Sequence, residues 1–292
     1  AAMNVRWRPS TDAGGAASAG RSRRTTAGIR MQRKGSAMTQ ADIVVLGGSA
    51  AGITAAITAR RHYRGKSIRL VRREEQVLIP CGIPYIFGTL GSPDANLIAD
   101  AVLKKNDVEL LIAEATTLDR ETKILKTSEG DIRYDRLILA TGSEPVKPPI
   151  PGIDKEGVFD IRKDVAYLKE LQNQLKDATD VVIIGCGFIG IEFADEINKA
   201  GGKRISIVEI APCCLSLAYD TEFCTEMEAL LTSRGISLHT GSKVTAIEGN
   251  GRVSAVRVEN RSPIKADVVI LGIGARANVG LAKEAGLRLG AT

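Results

Sequence analysis

A glycine-rich turn, Gly185-Cys186-Gly187-Phe188-Ile189-Gly190, has the clearest chemical potential in the chain. In such a turn the first glycine permits a tight bend, the second lets a phosphate approach the backbone, and the third lets helix and strand pack closely. Free N–H groups at the start of the following helix attract the negative charge of a pyrophosphate. Glu209 follows the next apolar run, where a carboxylate accepts both ribose hydroxyls of an adenosine and repels a 2′-phosphate. The turn therefore predicts a site for NAD(H) rather than NADP(H), formed by Gly185, Gly187, Phe188, Ile189, Gly190 and Glu209.

A second turn of this kind, Gly47-Gly48-Ser49-Ala50-Ala51-Gly52, carries serine at the middle glycine position. Serine is small enough for a phosphate to approach. The position that matches Glu209 is Arg72, and a guanidinium cannot accept hydrogen bonds from ribose. Either Glu74 or Glu75 supplies the carboxylate, or Arg72 pairs with a phosphate or stacks on adenine. The six turn residues and Arg72 are our candidates for a second dinucleotide site.

Cys81 is the candidate nucleophile, in the segment Val77-Leu-Ile-Pro-Cys81-Gly-Ile-Pro-Tyr85. A reactive cysteine must be a thiolate, which a helix start or a positive environment stabilises, and the residues after Pro80 are typical of a helix start. The alternative is a cysteine that only packs. No second cysteine lies within five residues, which excludes a local dithiol mechanism.

The remaining cysteines receive other interpretations. Cys186 needs only to be small inside its turn, so we expect a structural role. Cys213 and Cys214 are neighbours in the loop after Glu209, and they either stay free or oxidise or bind a soft metal. Cys224 is expected in the core of a helix. We predict no metal site.

Repeated elements position these residues. An apolar run at 43–46, a small-residue helix at 51–62 and a strand at 67–71 form one β-α-β unit, and the same pattern returns at 181–184, 188–200 and 204–208. Shorter strands are predicted at 108–113, 123–126, 132–140, within 236–258 and at 267–271, and a helix at 220–234. The sequence therefore predicts an α/β protein with two Rossmann-like dinucleotide-binding domains. Four prolines between Pro145 and Pro151 predict the linker between them.

Composition limits the alternatives. The chain has 292 residues, enough for two domains, and its 44% hydrophobic and 25% charged residues are typical of a globular protein. No apolar run reaches the ~18 residues of a membrane span. Aromatic residues make up only 4%, which argues against stacking on single-stranded nucleic acid. Five scattered cysteines and two histidines favour neither a disulfide scaffold nor a zinc module, and they indicate a reducing compartment, which we take as the cytoplasm.

The net charge of +6 is concentrated in residues 1–37, which hold eight Lys and Arg against a single Asp. The rest of the chain is close to neutral, so we expect no nucleic-acid partner. The segment 1–37 is either a flexible tail, translated sequence upstream of a start at Met38, or an organelle transit peptide.

These motifs, together with Leu137-Ile-Leu-Ala140-Thr141-Gly142, resemble the pyridine nucleotide–disulfide oxidoreductase family. The resemblance covers roughly residues 41–290. It is strongest to the single-cysteine branch that contains coenzyme A disulfide reductases, NADH oxidases and NADH peroxidases. The segment Asp267-Val-Val-Ile-Leu271, followed by Gly272, resembles the return of the chain towards the flavin.

The resemblance implies a domain organisation and an activity. Residues 38–150 would bind FAD, with Ala140, Thr141 and Gly142 beside the flavin. Residues 151–271 would bind NAD(H), and residues 272–292 would begin the return to the first domain, with Gly272 near the cofactor. Electrons would pass from NADH through FAD and the redox residue Cys81 to a small disulfide or a related acceptor. The alternatives are an NADH oxidase that reduces oxygen and a truncated, non-catalytic NADH-binding protein.

Two departures from the family bear on these expectations. Oxidase and peroxidase members usually carry a histidine where this chain has Ala50, which favours a disulfide acceptor over oxygen or peroxide. His62 and His239 are expected at the surface or in packing roles. The family's glycine–aspartate motif and C-terminal dimerisation domain are not present before Thr292. We therefore expect either a fragment or a natural truncation, and the family's homodimer is not expected of this chain.

Overall fold

The computed structural model describes residues 38–290, so the interpretations of residues 1–37 concern a part of the chain outside this range. In the first half, helices and strands alternate up to Arg72, and strands dominate after Ile112. The elements are Thr39–Leu46 (β1), Ala50–His62 (α1), Ile68–Arg72 (β2), Ala101–Lys105 (α2), Glu109–Ile112 (β3), Ala115–Asp119 (β4), Ile124–Thr127 (β5), Gly130–Leu139 (β6) and Ser143–Pro145 (β7).

Six of these strands form one sheet in the order β3-β2-β1-β6-β5-β4. The neighbouring strands β3, β2, β1 and β6 pair in parallel. The strands β5 and β4 continue the sheet beyond β6 in antiparallel pairing. The apolar run of β1 is central and buried on both faces, with Val44 and Val45 fully inaccessible. Such continuous burial is the usual property of parallel strands covered on two sides.

The second half repeats the plan. Its elements are Val158–Asp160 (β8), Val165–Asp177 (α3), Asp180–Ile184 (β9), Phe188–Ala200 (α4), Arg204–Val208 (β10), Thr221–Ser233 (α5), Ser237–His239 (β11), Val244–Glu248 (β12), Ala255–Val258 (β13), Ile264–Lys265 (β14) and Val268–Leu271 (β15). Five strands form a parallel sheet in the order β11-β10-β9-β15-β8, and β12, β13 and β14 form a separate antiparallel sheet. The predicted α/β architecture with two Rossmann-like units is confirmed.

The chain crosses between the two large sheets twice. Residues 146–157 carry it from the first sheet to the second, and Ala275–Ala277 (β16) brings it back to pair antiparallel with β7. The last helix, Gly280–Glu284 (α6), then packs near β4, and Leu281, Ala285 and Leu287 contact the core of the first sheet. The end of the return segment therefore packs against the first sheet.

The segment that carries Cys81 lies between β2 and α2 and forms two short 3-10 helices, Pro80–Gly82 and Pro84–Phe87. Ile83, Ile86 and Phe87 are buried in the same apolar cluster as α4 residues of the second unit. The ring centroids of Phe87 and Phe193 are 5.2 Å apart. The Cys81 segment is thus packed against the helix that follows the second glycine turn.

Candidate functional site

The second glycine turn has the geometry of a phosphate-binding loop. Gly187 caps α4 without a side-chain hydrogen bond, and a Cβ atom placed on Gly187 would meet nothing within 4 Å, so this side of the turn is open. Gly190 has no such free space, because a Cβ there would lie 2.0 Å from the carbonyl oxygen of Gly185. A Cβ on Gly272 would lie 3.0 Å from the Cα of Gly190. Two glycines therefore serve close packing, and one leaves room for a ligand at the helix N-terminus.

Glu209 lies directly beside this turn. One carboxylate oxygen accepts a hydrogen bond from the backbone N–H of Cys186 at 2.6 Å, and the other accepts from the N–H of Ala211 at 2.7 Å. A carboxylate has about four acceptor positions, so two remain for the hydroxyl groups of a ribose. Phe188 is 53% exposed at the start of α4, and its ring lies 5.8 Å from that of Tyr219. The structure brings together the residues that the sequence assigned to this turn.

The first glycine turn is built in the same way, with one additional polar group. A Cβ on Gly47 would lie 2.0 Å from the carbonyl oxygen of Ala140, and one on Gly52 would lie 1.8 Å from that of Gly47. Ser49 caps α1, but its hydroxyl makes no capping bond. That Oγ atom is buried and has no hydrogen-bond partner among the described residues. Since a buried hydroxyl without a partner is unfavourable, the serine is suited to donate to a phosphate oxygen at the N-terminus of α1.

The contact of Arg72 with a phosphate or with adenine stays a prediction, and in this structure its guanidinium binds other protein groups. The Arg72 side chain is 1% exposed, and its guanidinium binds both carboxylate oxygens of Asp100 at 2.7 and 2.8 Å. Two further N–H groups donate to the backbone carbonyls of Glu74 and Glu75. Four of its five donors are therefore already used. These contacts show that Arg72 holds the loop after β2 in place.

A cavity of about 400 Å³ opens at the carboxyl ends of β1 and β2. Its lining includes Gly47, Arg72, Glu74, Thr141 and residues of the return segment around Asn278. Of the two acids left open by the sequence, Glu74 borders this cavity and Glu75 does not. The structure therefore favours Glu74 as the carboxylate available to a ribose.

The Thr141-Gly142 crossing is tied to the return segment. The Thr141 hydroxyl donates to the carbonyl of Asn278 at 2.6 Å, and the N–H of Asn278 donates to the carbonyl of Gly142 at 2.9 Å. Lys163 also reaches this crossing and donates to the Ser143 hydroxyl at 3.0 Å. Burial lowers the pKa of Lys163. Neither Asn278 nor Lys163 was singled out from the sequence.

Cys81 is a free, exposed cysteine, and the helix start predicted after Pro80 is a short 3-10 helix, Pro80–Gly82. Asn96 fixes the turn around Cys81 by binding Ile79, which lies 17 residues earlier in the sequence. The side-chain amide of Asn96 donates to the carbonyl of Ile79 at 2.9 Å, and the backbone carbonyl of Asn96 accepts from the Ile79 N–H at 2.9 Å. A Cβ on Gly82 would lie 2.0 Å from the Asn96 Oδ1 atom. The position of Cys81 therefore depends on a buried amide and a glycine beside it.

The same segment is bound to α4 through a buried carboxylate. Glu196 Oε2 accepts hydrogen bonds from the Thr89 N–H at 2.8 Å and from the Thr89 hydroxyl at 2.7 Å. Its second oxygen accepts from Lys199 at 2.7 Å. Burial alone would raise the pKa of Glu196, but the hydrogen bonds from Lys199 and Thr89 outweigh it and hold that pKa below its ordinary value. No sequence pattern pointed to this residue.

The structure corrects the prediction for two cysteines. Cys186 and Cys214 form a disulfide, with their Cα atoms 4.9 Å apart, so Cys186 does more than fit a small space and Cys214 is paired with a residue other than its neighbour. Cys213 stays free and partly exposed. Cys224 is buried in α5, which confirms its predicted place in a helix core.

The model of the pyridine nucleotide-disulphide oxidoreductase family matches residues 41–292. The chain belongs to this family. Residues 38–290 contain no helix with the length and apolar character that crossing a membrane requires.

Individual relatives are similar over most of the chain. It is 33% identical over 258 residues to the NAD(P)H coenzyme A polysulfide/persulfide reductase of Pyrococcus horikoshii, and 31% identical over 261 residues to the NADH oxidase of Methanocaldococcus jannaschii. These matches cover 86% and 85% of this chain but 57% of each relative. The solved structure of an NAD-dependent persulfide reductase from A. fulgidus superposes with a TM-score of 0.79 at 31% identity, over 85% of this chain and 49% of that one. The chain thus spans about half the length of these relatives.

Proposed function

We propose that the chain forms the cofactor-binding part of an FAD-dependent oxidoreductase that passes electrons from NADH to a small disulfide or persulfide. The observation that carries this proposal is the position of the exposed Cys81 thiol. Its segment follows β2 in the first unit and packs against α4, the helix that begins at the second glycine turn. The names of the relatives from Pyrococcus horikoshii and A. fulgidus support the class of acceptor.

The residues present fit both cofactors. Residues 38–150 would hold FAD: the first turn and the unpartnered hydroxyl of Ser49 suit its pyrophosphate, and Glu74 suits a ribose. Residues 151–271 would hold NADH, with the open face of Gly187 for its pyrophosphate and Glu209 for its adenosine ribose. Residues 272–292 would begin the return to the FAD domain, and Asn278 within them binds the Thr141-Gly142 crossing. When bound, FAD accepts a hydride from NADH and delivers electrons to sulfur.

The chain's own thiol would carry the acceptor chemistry. The Cys81 thiolate attacks one sulfur of the acceptor disulfide, and the other half leaves as a thiol after taking up a proton. Two electrons and a proton then convert the mixed disulfide back to the Cys81 thiolate and a second free thiol. The sum is one disulfide reduced to two thiols for one NADH oxidised. Asn96 and Glu196 hold the segment on which this thiol lies.

The test compares the parent chain with Cys81→Ser in the presence of added FAD. We expect the parent to bind FAD and NADH and to release thiol from coenzyme A disulfide. We expect the variant to bind both cofactors and to bleach the flavin absorbance with NADH, but to release no thiol. Cys213→Ser, which removes a partly exposed cysteine elsewhere, is the matched control and should keep the parent activity.

Each other outcome has a defined meaning. Full disulfide reduction by Cys81→Ser would show that this sulfur is not the redox residue. Oxygen consumption without added disulfide, at a rate exceeding disulfide reduction, would favour the NADH oxidase activity named for the Methanocaldococcus jannaschii relative. NADH binding with no FAD binding would favour a non-catalytic nucleotide-binding protein.

A further inference from the structure

Four of the five cysteines lie together at the edge of the second glycine turn. Cys186 and Cys214 are joined as a disulfide across a sequence separation of 28 residues. Cys213 precedes Cys214 in the chain, and the buried Cys224 thiol donates to the carbonyl of Tyr219 at 3.6 Å. The remaining cysteine, Cys81, lies on a different segment and is the thiol assigned above to the acceptor chemistry.

The disulfide joins the two loops that border the open face of the turn. Cys186 lies inside the turn, and Cys214 lies in the loop after β10, which begins with Glu209. The backbone of Cys186 is tied to this loop at both of its polar groups. Its N–H donates to the Glu209 carboxylate at 2.6 Å, and its carbonyl accepts from the Leu215 N–H at 2.9 Å. The covalent bond adds a third link between the turn and the loop.

The loop on the Cys214 side is also held by backbone hydrogen bonds, from the Glu209 N–H to the carbonyl of His239 and from the Gly241 N–H to the carbonyl of Ala211, and by the burial of Leu215. Ile210 and Leu217 are 70% and 101% exposed, so their side chains contribute little packing. The N–H of Cys214 donates to Glu228 on α5 at 2.8 Å. Without the disulfide, the turn and this loop would be joined by noncovalent contacts alone, among them the hydrogen bonds that Cys186 makes with Glu209 and Leu215.

We propose that Cys186 and Cys214 are a second redox site, in which a low-molecular-weight disulfide oxidises the pair and thereby strengthens NADH binding at the adjacent turn. The inference rests on the proposed function, because it takes the Gly185–Gly190 turn as the NADH site. A pocket whose walls are fixed before binding loses less conformational freedom on binding, so the oxidised form holds NADH more tightly.

The exchange balances in sulfur, electrons and protons. One cysteine thiolate attacks the small disulfide, forms a mixed disulfide and releases one small thiol. The second cysteine then attacks the mixed disulfide, closes the Cys186–Cys214 bond and releases the second small thiol. The two protons of the cysteine thiols leave on the two small thiols. Two equivalents of a small thiol reverse the reaction. The same class of acceptor that Cys81 would reduce is thus the oxidant that sets the state of the pair.

Accessibility sets the rate of this exchange. The residues Cys186 and Cys214 are 1% and 0% exposed, so a small thiol reaches their sulfurs only when the loop opens locally. Exchange in such sites takes seconds to hours. The two redox forms must therefore be equilibrated and verified before binding is measured.

The test uses the whole chain equilibrated in oxidised or in reduced glutathione until the thiol count is constant. Alkylation and mass spectrometry then report whether Cys186 and Cys214 are paired. NADH affinity is measured by fluorescence titration of each form. We expect the reduced form to bind NADH with a Kd higher by about threefold or more, because the loop must be ordered on binding.

Two variants separate this site from its neighbours. Cys214→Ser should bind NADH with the weaker affinity in both glutathione buffers. Cys213→Ser, altered at the adjacent position of the same loop, should keep the parent's full response. If Cys214→Ser does not fold, the comparison of the oxidised and reduced parent still decides whether the disulfide changes the affinity for NADH.

The outcomes distinguish this inference from the proposed function. NADH binding with equal affinity in the verified oxidised and reduced forms would overturn the redox control and leave the proposed function standing. Failure of the pair to oxidise in oxidised glutathione would also overturn the control alone. Absence of NADH binding in both verified forms would overturn the control together with the proposed function.

Discussion

The carboxylate of Glu196 on α4 binds both the backbone N–H and the hydroxyl of Thr89, a residue 107 positions earlier in the chain. This contact joins the Cys81 segment, which belongs to the first half, to the helix that begins at the second glycine turn. The Glu196 side chain is 3% exposed, whereas Thr89 lies at the surface. The two proposed functional segments are thus held together by partly buried, charge-assisted hydrogen bonds.

Replacing Glu196 with alanine should loosen this junction. Thr89 would lose the charged acceptor of two hydrogen bonds, so we expect the free energy of unfolding to fall by about 1–3 kcal/mol. Amide hydrogen exchange at Thr89 should accelerate, and urea unfolding would give the stability. Asp195→Ala is the matched control, since Asp195 precedes Glu196 on α4 and pairs with Lys199 and Arg234 without reaching Thr89. Equal effects of the two substitutions would refute a special role for Glu196.

Gly82→Ala tests how the turn around Cys81 is held. The added Cβ would lie 2.0 Å from the Asn96 side chain, which would have to move away from Ile79. Overpacking of this kind costs about 1–3 kcal/mol in stability. Alkylation of Cys81 by iodoacetamide, followed by peptide mass spectrometry, should show an altered rate.

The control for that substitution is Gly65→Ala. A Cβ at Gly65 meets nothing within 4 Å, so the unfolding free energy and the alkylation rate of Cys81 should stay close to those of the parent. An unchanged alkylation rate in Gly82→Ala would show that Asn96 does not position the thiol.

Glu209 should decide between the two nicotinamide dinucleotides. We expect the parent to favour NADH over NADPH by about tenfold or more, which corresponds to 1.4 kcal/mol, because the carboxylate repels a 2′-phosphate. Glu209→Ser should bring the two dissociation constants closer together, because it removes both the acceptor for the ribose hydroxyls and the charge that repels the 2′-phosphate. Glu248→Ser, which removes a carboxylate from β12, should leave the ratio unchanged. Fluorescence titration measures both ratios, and equal affinities in the parent would count against the assignment.

The sequence predicted well the parts of the fold that local periodicity determines. The predicted strands and helices around both glycine turns agree with β1, α1, β9, α4 and β10 to within about one residue, apart from the first residues of β1. Each of the two β-α units combines a buried apolar strand with a turn in which glycines are required by close packing. The helix α3 was missed although its signal is present: Asp164 caps it, and Leu168, Leu171 and Leu175 lie on one buried face.

The contacts that the sequence did not reveal join residues far apart in the chain. Arg72 meets Asp100, and Cys186 meets Cys214, each across 28 positions. These pairings follow from the order of strands in the sheets, which places loops from different parts of the chain side by side. A matched position in two turns, such as Arg72 and Glu209, therefore indicates a similar location and does not establish a similar role.

The stability of the chain should depend on pH through His239. Burial and the nearby Arg261 cation lower the pKa of His239 below its ordinary value of 6.5, so the folded protein resists its protonation. The unfolded chain takes up this proton at a higher pH than the folded protein does. Below about pH 6.5 the unfolded state therefore binds more protons, and the free energy of unfolding falls as the pH falls, by at most about 1.4 kcal/mol per pH unit from this group. The loss ends once the pH has fallen below the pKa of the folded state.

His239→Gln isolates this contribution. The variant should show a flatter dependence of the unfolding free energy on pH between about 5 and 6.5, where carboxylates remain largely ionised. Urea unfolding at several pH values measures the slope. His62→Gln is the control, because His62 lies exposed at the end of α1 and should leave the parent's slope in place. Parallel slopes for the parent and His239→Gln would mean that the ring of His239 is protonated as readily in the folded protein as in the unfolded chain. His239 on β11 pairs with Val208 on β10, and Val208 belongs to a buried apolar cluster. Parallel slopes would therefore show that water reaches the His239 ring despite this neighbouring cluster.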